Sequence, residues 1–348
     1  EYNGMVGFQQ VTKKMEMMNA YEYGQALNDI RGAGTISDSD MELYRTGEKG
    51  IDWVDFMTRT AITQNYNLGA SGGSDRVRYM VSGQVLDQEA VTIDAKYMRY
   101  GLRANVDADV KRWLTISTKI NGAVIHQQGV APNWFHVLNY SPTMELRDET
   151  TGIYNKDPYN ILSNNPYGVV KETESDSYSY NLNANMMLLF RLAKGLTLSV
   201  QGGYDFDYSP SYSFVSSKVA AGATNSMSNV SALHRYWQNS NNLTYSNTFG
   251  RHSISATGVW ELSGTTDTRM SISGTGLSNE SVGYWDVTNA ATRSESNSYS
   301  ASSLMSGIVR LSYDFDKRYF ITASLRADGS SKFQKEHRWG YFPSAAGA

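Results

Sequence analysis

Hydrophobic and polar residues alternate with a period of two between positions 178 and 208. Tyr178, Tyr180, Leu182, Ala184, Met186, Leu188 and Phe190 share one register, with Ser179, Asn181, Asn183 and Asn185 between them. After Leu192-Ala-Lys-Gly195 the alternation resumes, with Leu196, Leu198, Val200, Gly202, Tyr204, Phe206 and Tyr208 set against Thr197, Ser199, Gln201, Asp205 and Asp207. Period two predicts strands, so the stretch reads as a β-hairpin. Its apolar register carries no charge. Each strand reaches the ~9–11 residues with which a tilted strand crosses hydrocarbon. In lipid an open sheet edge would leave backbone N–H and C=O groups unmatched, so such strands belong in a closed barrel. The apolar register then faces lipid, the polar register faces the lumen, and tyrosines mark the interfaces. For the hairpin alone, a soluble sandwich with one buried face is the competing reading.

The same alternation recurs at 2–11, 64–70, 79–85, 100–106, 114–124, 243–249, 254–262, 305–315 and 319–327. Short turns at 71–75, 107–112, 192–195, 250–252 and 315–318 alternate with long segments such as 127–176, 209–233 and 263–298, which read as loops. A sandwich gives no reason for one end always to be short, whereas outer-membrane barrels have short periplasmic turns and long extracellular loops. The fold class expected is therefore all-β: an antiparallel transmembrane β-barrel, about twelve strands of which are visible. One segment breaks the period. Met17, Ala20, Tyr21, Gly24, Leu27 and Ile30 follow three-four spacing, which predicts an amphipathic packing helix over 15–31, closed by Gly32 and Gly34, within an extracellular loop at 12–60. The stretch 38–50 reads as polar loop, followed by the aromatic and acidic cluster Ile51-Asp-Trp-Val-Asp-Phe-Met57.

Composition narrows the chemistry. The 348 residues carry a net charge of −3, which gives no reason to expect nucleic acid. Cysteine is absent, which removes disulfides and thiolate chemistry. No run of about eighteen apolar residues exists to form a spanning helix. The chain starts in mid-strand without a leader and stops at Ala348 without a closing turn, so both ends read as cut from a longer polypeptide.

No catalytic set, metal site or cofactor site emerges. Gly69-Ala-Ser-Gly-Gly73 fits G-x-S-x-G but leads into another strand and reads as a hairpin turn. His126, His136, His234, His252 and His337 lack metal-ligand spacing. Gly274-Thr-Gly-Leu-Ser-Asn279 falls short of a phosphate loop, and the sequons at Asn229 and Asn242 are pattern only. The loops do carry aromatic residues. Trp134, Phe135, Tyr154, Tyr159, Tyr284 and Trp285 are the candidate contacts for a substrate or partner, because aromatic faces beside Asn and Asp suit sugar rings. They equally suit loop-on-loop packing.

Several stretches together resemble one family. They are Asp52-Trp-Val-Asp, Gln64-Asn-Tyr-Asn-Leu with Ser71-Gly-Gly, and Tyr79-Met-Val-Ser-Gly with Asp87-Gln-Glu. The most specific is Ala323-Ser-Leu-Arg-Ala-Asp-Gly-Ser-Ser-Lys-Phe333 followed by Arg338-Trp-Gly-Tyr-Phe-Pro-Ser344. These resemble the SusC/RagA family of TonB-dependent outer-membrane transporters, over nearly the whole chain. The resemblance implies a barrel of about 22 strands with a plugged lumen. It also implies a SusD-like surface lipoprotein as lid, import of oligosaccharides or peptides, and energy delivered by the TonB complex. The N-terminal plug and the final strands are expected outside these residues. A passive porin or structural barrel is the alternative.

Overall fold

The structure, a computed structural model, describes residues 1–160 and 164–348. Residues 161–163, within the expected loop at 127–176, lie outside the described residues. Twelve strands form one antiparallel sheet in strict sequence order. These are β1 (Tyr2–Gln9), β2 (Ala61–Gly73), β3 (Val77–Glu89), β4 (Lys96–Lys111), β5 (Leu114–Gln128) and β6 (Thr173–Ala193). They continue as β7 (Leu196–Val215), β8 (Ser226–Phe249), β9 (His252–Leu277), β10 (Ala290–Phe315), β11 (Tyr319–Ser330) and β12 (Trp339–Gly347). Among the described residues β1 and β12 each pair on one side only, so the sheet is an open arc of wall.

At one end the connections are turns at 74–76, 112–113, 194–195, 250–251 and 316–318. Gly195 shows what such tightness needs: its φ is +76°, and a Cβ there would meet the Ser246 carbonyl oxygen at 2.2 Å. At the other end the segments are longer and, among the described residues, carry five α-helices. Three lie between β1 and β2: α1 (Ala20–Arg31), α2 (Asp38–Thr46) and α3 (Trp53–Phe56). Two lie between β5 and β6: α4 (Trp134–Asn139) and α5 (Pro166–Lys171).

The register separates two faces. Asn183 stands opposite Asn121 and Asp205, and Leu182 opposite Gly122 and Phe206. Leu182, Met186 and Tyr204 project from the convex face, whereas Asn181, Asn183 and Asp205 line a recess on the concave one. Stacked aromatics bound the convex apolar band. Tyr178, Tyr180 and Tyr208 stack above it, and Trp113 stacks on Phe190 below. At ~3.3 Å rise and ~40° tilt, the ten positions from Tyr180 to Phe190 span about 25 Å, the height of an outer-membrane apolar band. Where a large ring meets a cross-strand glycine on this face, it covers the bare backbone. A Cβ on Gly264 would lie 2.6 Å from the Trp237 ring, and one on Gly329 would lie 2.9 Å from the Trp339 ring. The second pair joins the Ala323–Phe333 motif to the Arg338-Trp-Gly motif, for Gly329 and Trp339 are direct partners.

Three expectations need correction. First, β7 to β10 run deep into what reads as loop at 209–233 and 263–298, leaving connections only at 216–225 and 278–289. Above the apolar band neither face meets hydrocarbon, so the outward register need no longer be uniformly apolar and the period-two signal fades while backbone pairing continues. Second, the 12–60 segment holds three helices where one is predicted. Ser37 caps α2 by accepting from the Asp40 N–H at 3.1 Å, and Gly47 closes it at φ +78°. The cap and the glycine are legible in the sequence, but Met41, Leu43 and Tyr44 are too few apolar positions to set a period between them. Third, α1 begins at Ala20, not near Met15, because Asn19 and Glu22 form a capping box there. Met15, Met17 and Met18 lie exposed outside the helix, while Ala20, Gly24 and Leu27 supply its buried face.

One strand departs from the apolar rule. On β8 Asn239 and Asn241 fall in the outward register, opposite Gly202 and Val200. Asn241 Nδ2 donates to Asn239 Oδ1 at 2.5 Å, and Asn239 Nδ2 donates to the Gln201 carbonyl oxygen at 3.1 Å, which reduces the cost of polar groups in the band.

Neighbouring β7 positions test the assignment of faces. Leu198→Arg places a charge in the apolar band at a cost of about 2–4 kcal/mol and is expected to impair membrane assembly, whereas Ser199→Arg is expected to be tolerated. Heat-modifiable mobility of the two variants in isolated outer membranes measures this. Worse assembly of Ser199→Arg would reverse the faces.

Candidate functional site

Alternation brings the polar registers of six strands together on the concave face. The recess there has a volume of about 410 Å³. On its β4 side Arg103 Nε donates to Asn121 Oδ1 and Arg99 Nη1 donates to Gln84 Oε1, both at 2.8 Å. On its β7 side Asp207 accepts from Asn181 Nδ2 at 2.5 Å, and Asp205 accepts from Asn183 Nδ2. Each charge is thus held by a neutral amide. Among the described residues none of these four makes an ion pair. The cations stand on β4 and the anions on β7, three strand spacings or about 14 Å apart along the wall. Asp207 also borders a second recess of about 260 Å³, where His234 Nδ1 lies 2.6 Å from Asp267 Oδ1. The lumen lining is therefore continuous, hydrophilic and charged with both signs.

Above it the helical segments pack into a layer of their own. Trp53, Val54, Met57, Val137, Tyr140 and Val170 form its core. Buried polar groups fix its shape. Trp53 Nε1 donates to the Ser141 carbonyl at 3.0 Å, and Tyr140 O–H donates to the Asn155 carbonyl at 2.6 Å. Fully buried Asp157 accepts from the Ser141 and Tyr159 N–H groups, each at 2.8 Å. Fully buried Asn165 accepts from the Gly168 N–H at the start of α5 and donates to the Leu146 carbonyl, each at 2.9 Å. Burial raises the pKa of Tyr140 far above the ordinary phenol value and, with the Asp157 charge, raises that of Tyr23. Both stay neutral hydrogen-bonding groups. A cavity of about 860 Å³ opens between this layer and α1, lined by Tyr21, Tyr23, Tyr44, Lys49, Trp53 and Asn139 among others.

The six candidate aromatics do not converge on one site. Trp134 and Phe135 open α4 and are both exposed, while the opposite side of that helix packs inward through Val137. Tyr154 is buried, its ring so close to Gly168 that a Cβ there would clash at 2.4 Å. Tyr159 is half-buried beneath the Arg31 guanidinium, 5.4 Å from its ring centroid. Tyr284 and Trp285 belong to the 278–289 segment, which folds over the outward register of the wall. Tyr284 packs with Phe214, Met227, Leu277 and Ala290, and its O–H donates to Asp176 Oδ2 at 2.9 Å. Aromatic character alone could not separate these settings. The polar register of the charged lumen residues is legible in the sequence, but nothing in one strand tells which charges of other strands lie level with it.

No family model matches the chain. It is 24% identical over 369 residues to TonB-dependent receptor P3 of Formosa agariphila, covering 99% of this chain and 35% of that protein. It is 23% identical over 377 residues to TonB-dependent receptor SusC of Bacteroides thetaiotaomicron, covering 99% of this chain and 36% of that protein. The chain thus spans about a third of the length of these curated relatives. Among solved structures it resembles the RagAB peptide transporter, with a TM-score of 0.76 at 20% identity over 99% of this chain and 44% of that one. The closed-closed state of the RagAB peptide importer gives a TM-score of 0.78 at 21% identity, over 99% and 43% of the two chains. At these identities the structural likeness establishes the fold.

Two expectations follow, one for the helical layer and one for the 278–289 segment. Asn165→Ala removes a buried cap and strands the Leu146 carbonyl, at a cost of about 1–3 kcal/mol. Hydrogen exchange is expected to speed up in α4 and α5 while the strands stay protected, and unchanged exchange there would contradict the role. Burial, then the hydrogen bond to Asp176, pushes the Tyr284 pKa up to about 12 from its ordinary value of 10.0. A raised folded value means that its stabilisation is complete below pH 10 and lost as pH rises from 10 to 12. Limited proteolysis of 278–289 is expected to accelerate across that window, and a Tyr284→Phe variant is expected to lose this step.

Proposed function

We propose that the chain, which is similar to TonB-dependent receptors of the SusC/RagA kind, forms wall and extracellular loops of an active importer. The cargo is an oligosaccharide or a peptide, captured together with a SusD-like surface lipoprotein and taken up with energy delivered through TonB. The observation that carries this reading is the wall's two-faced chemistry. An apolar band faces lipid, and behind it lies a lumen lined by Arg99, Arg103, Asp205 and Asp207, each held by an amide and not by an opposite charge. Such groups can exchange hydrogen bonds with a passing polar cargo without first breaking an ion pair. A peptide cargo draws support from the likeness to the RagAB peptide transporter, and the rigid helical layer gives a lipoprotein a defined surface to meet.

The test is uptake by the native receptor in its outer membrane. Purification under mild detergent is expected to bring down a surface lipoprotein, and uptake is expected to stop when the proton-motive force is collapsed. Asp205→Asn with Asp207→Asn is expected to change uptake of a cationic cargo by roughly two- to tenfold with assembly intact. Uptake that survives collapse of the proton-motive force, with no lipoprotein attached, would mean a passive porin instead.

A further inference from the structure

The 278–289 segment lies on the side of the sheet that cargo cannot reach. Asp176 pairs with Tyr212, and both occupy the even register of β6 and β7 that carries Leu182, Tyr180 and Tyr208 outward. Tyr284 and Trp285 stack on Tyr212 from outside, with ring centroids 5.5 and 5.9 Å away and interplanar angles of 26° and 28°. From Tyr208 in the upper belt to Tyr212 is four positions, so this cluster stands about 10 Å above the belt at ~3.3 Å rise and ~40° tilt. That height belongs to the polar heads of the outer leaflet.

The cluster is rigidly built. Asp176 accepts from the Tyr284 O–H at 2.9 Å, and its other oxygen lies 2.7 Å from His126 Nε2. Asn229 Nδ2 donates to the Tyr284 carbonyl at 2.9 Å. Glu280 accepts from Asn225 Nδ2 at 2.6 Å and from the Ser216 hydroxyl at 2.9 Å, tying the segment to the 216–225 connection. Tyr284 is 8% exposed in consequence, yet Trp285 beside it is 77% exposed. So large an indole, held on two stacked rings and left open, offers a flat apolar face to the C–H side of a sugar ring. Carboxylates belong to the same cluster: Glu174 against Gly283, Asp176 on the Tyr284 hydroxyl, and Asp286 next along the chain from Trp285. They can accept from sugar hydroxyls and they repel phosphate.

We propose that Trp285, stacked on Tyr212 and tilted against Tyr284, docks an uncharged sugar ring in the headgroup of an outer-leaflet glycolipid. Position selects this occupant, since only molecules that flank the barrel at that height can meet the outward face. The site rests on the outer-membrane setting and is independent of what the lumen carries.

The experiment uses the whole receptor reconstituted in nanodiscs with phospholipid alone or with added lipooligosaccharide. Protection of Trp285 from oxidative footprinting and the glycolipid retained after washing are both measured. Lipooligosaccharide is expected to protect Trp285 and phospholipid alone is not. Trp285→Ala is expected to lower retention about tenfold, and Trp285→Phe, which keeps a flat ring, to restore most of it. Because Trp285 projects from the surface, assembly and cargo uptake are expected to be unchanged in both. Equal protection by phospholipid alone would reduce Trp285 to a membrane anchor. Unchanged retention in Trp285→Ala, or lost cargo uptake with retention intact, would overturn the proposal.

Discussion

Every backbone N–H and C=O group inside a bilayer must find its partner within the protein, because hydrocarbon offers none. From that constraint follow the ladders that pair each strand with its neighbour in sequence and the tight turns that join them at one end. It also follows that side chains, freed from the task of satisfying the backbone, sort by face alone. The period-two alternation of β6 and β7 is the outcome, with Leu182 and Met186 outward and Asn181 and Asn183 inward. Where the constraint lapses, above the band, the strands persist while their side chains change character. There β8 and β9 are held by pairing and by contacts such as those of Met227 and Leu277 with the folded 278–289 segment.

The two ends of the wall therefore carry different burdens. The turn end is minimal, and residues such as Gly195 are fixed there by geometry. The loop end buries its own core around Trp53 and Tyr140 and satisfies its own polar groups through Asp157 and Asn165. This second layer gives the wall a shaped surface at its loop end. Below it, the lumen keeps charges of both signs in place by amide contacts, a low-cost arrangement in water and one that a cargo can compete with.

The sequence made the wall legible because alternation is a local property. Leu196 to Tyr208 can be assigned to one face without knowing what any other strand does. The helical layer was harder to read. A capping signal at Ser37 and a stop at Gly47 bracket α2, but in nine residues Met41, Leu43 and Tyr44 are its only apolar positions, too few to establish a three-four period. The candidate site was least legible of all. Tyr154, Tyr159 and Tyr284 look alike along the chain, yet one packs on Gly168, one lies under Arg31, and one is buried against the outside of the barrel. Only long-range register, such as Asp176 beside Tyr212, distinguishes inside from outside at that height. The Ala323–Phe333 motif is the reverse case: its string is distinctive along the chain, while its physical content, Gly329 under the Trp339 ring, emerges only from strand pairing.

The assignment of faces is the claim on which the lumen, the lipid band and the outward platform all depend. The chain contains no cysteine, so single cysteines can be introduced one at a time without a background thiol. The most direct measurement places one at each position from 196 to 208 in the native receptor and labels it in intact outer membranes with a charged, membrane-impermeant maleimide. The account predicts labelling that alternates, strong at odd positions from Thr197 to Asp207 and weak at even positions from Leu198 to Phe206. Labelling without a period of two, or strong at the even positions, would contradict it.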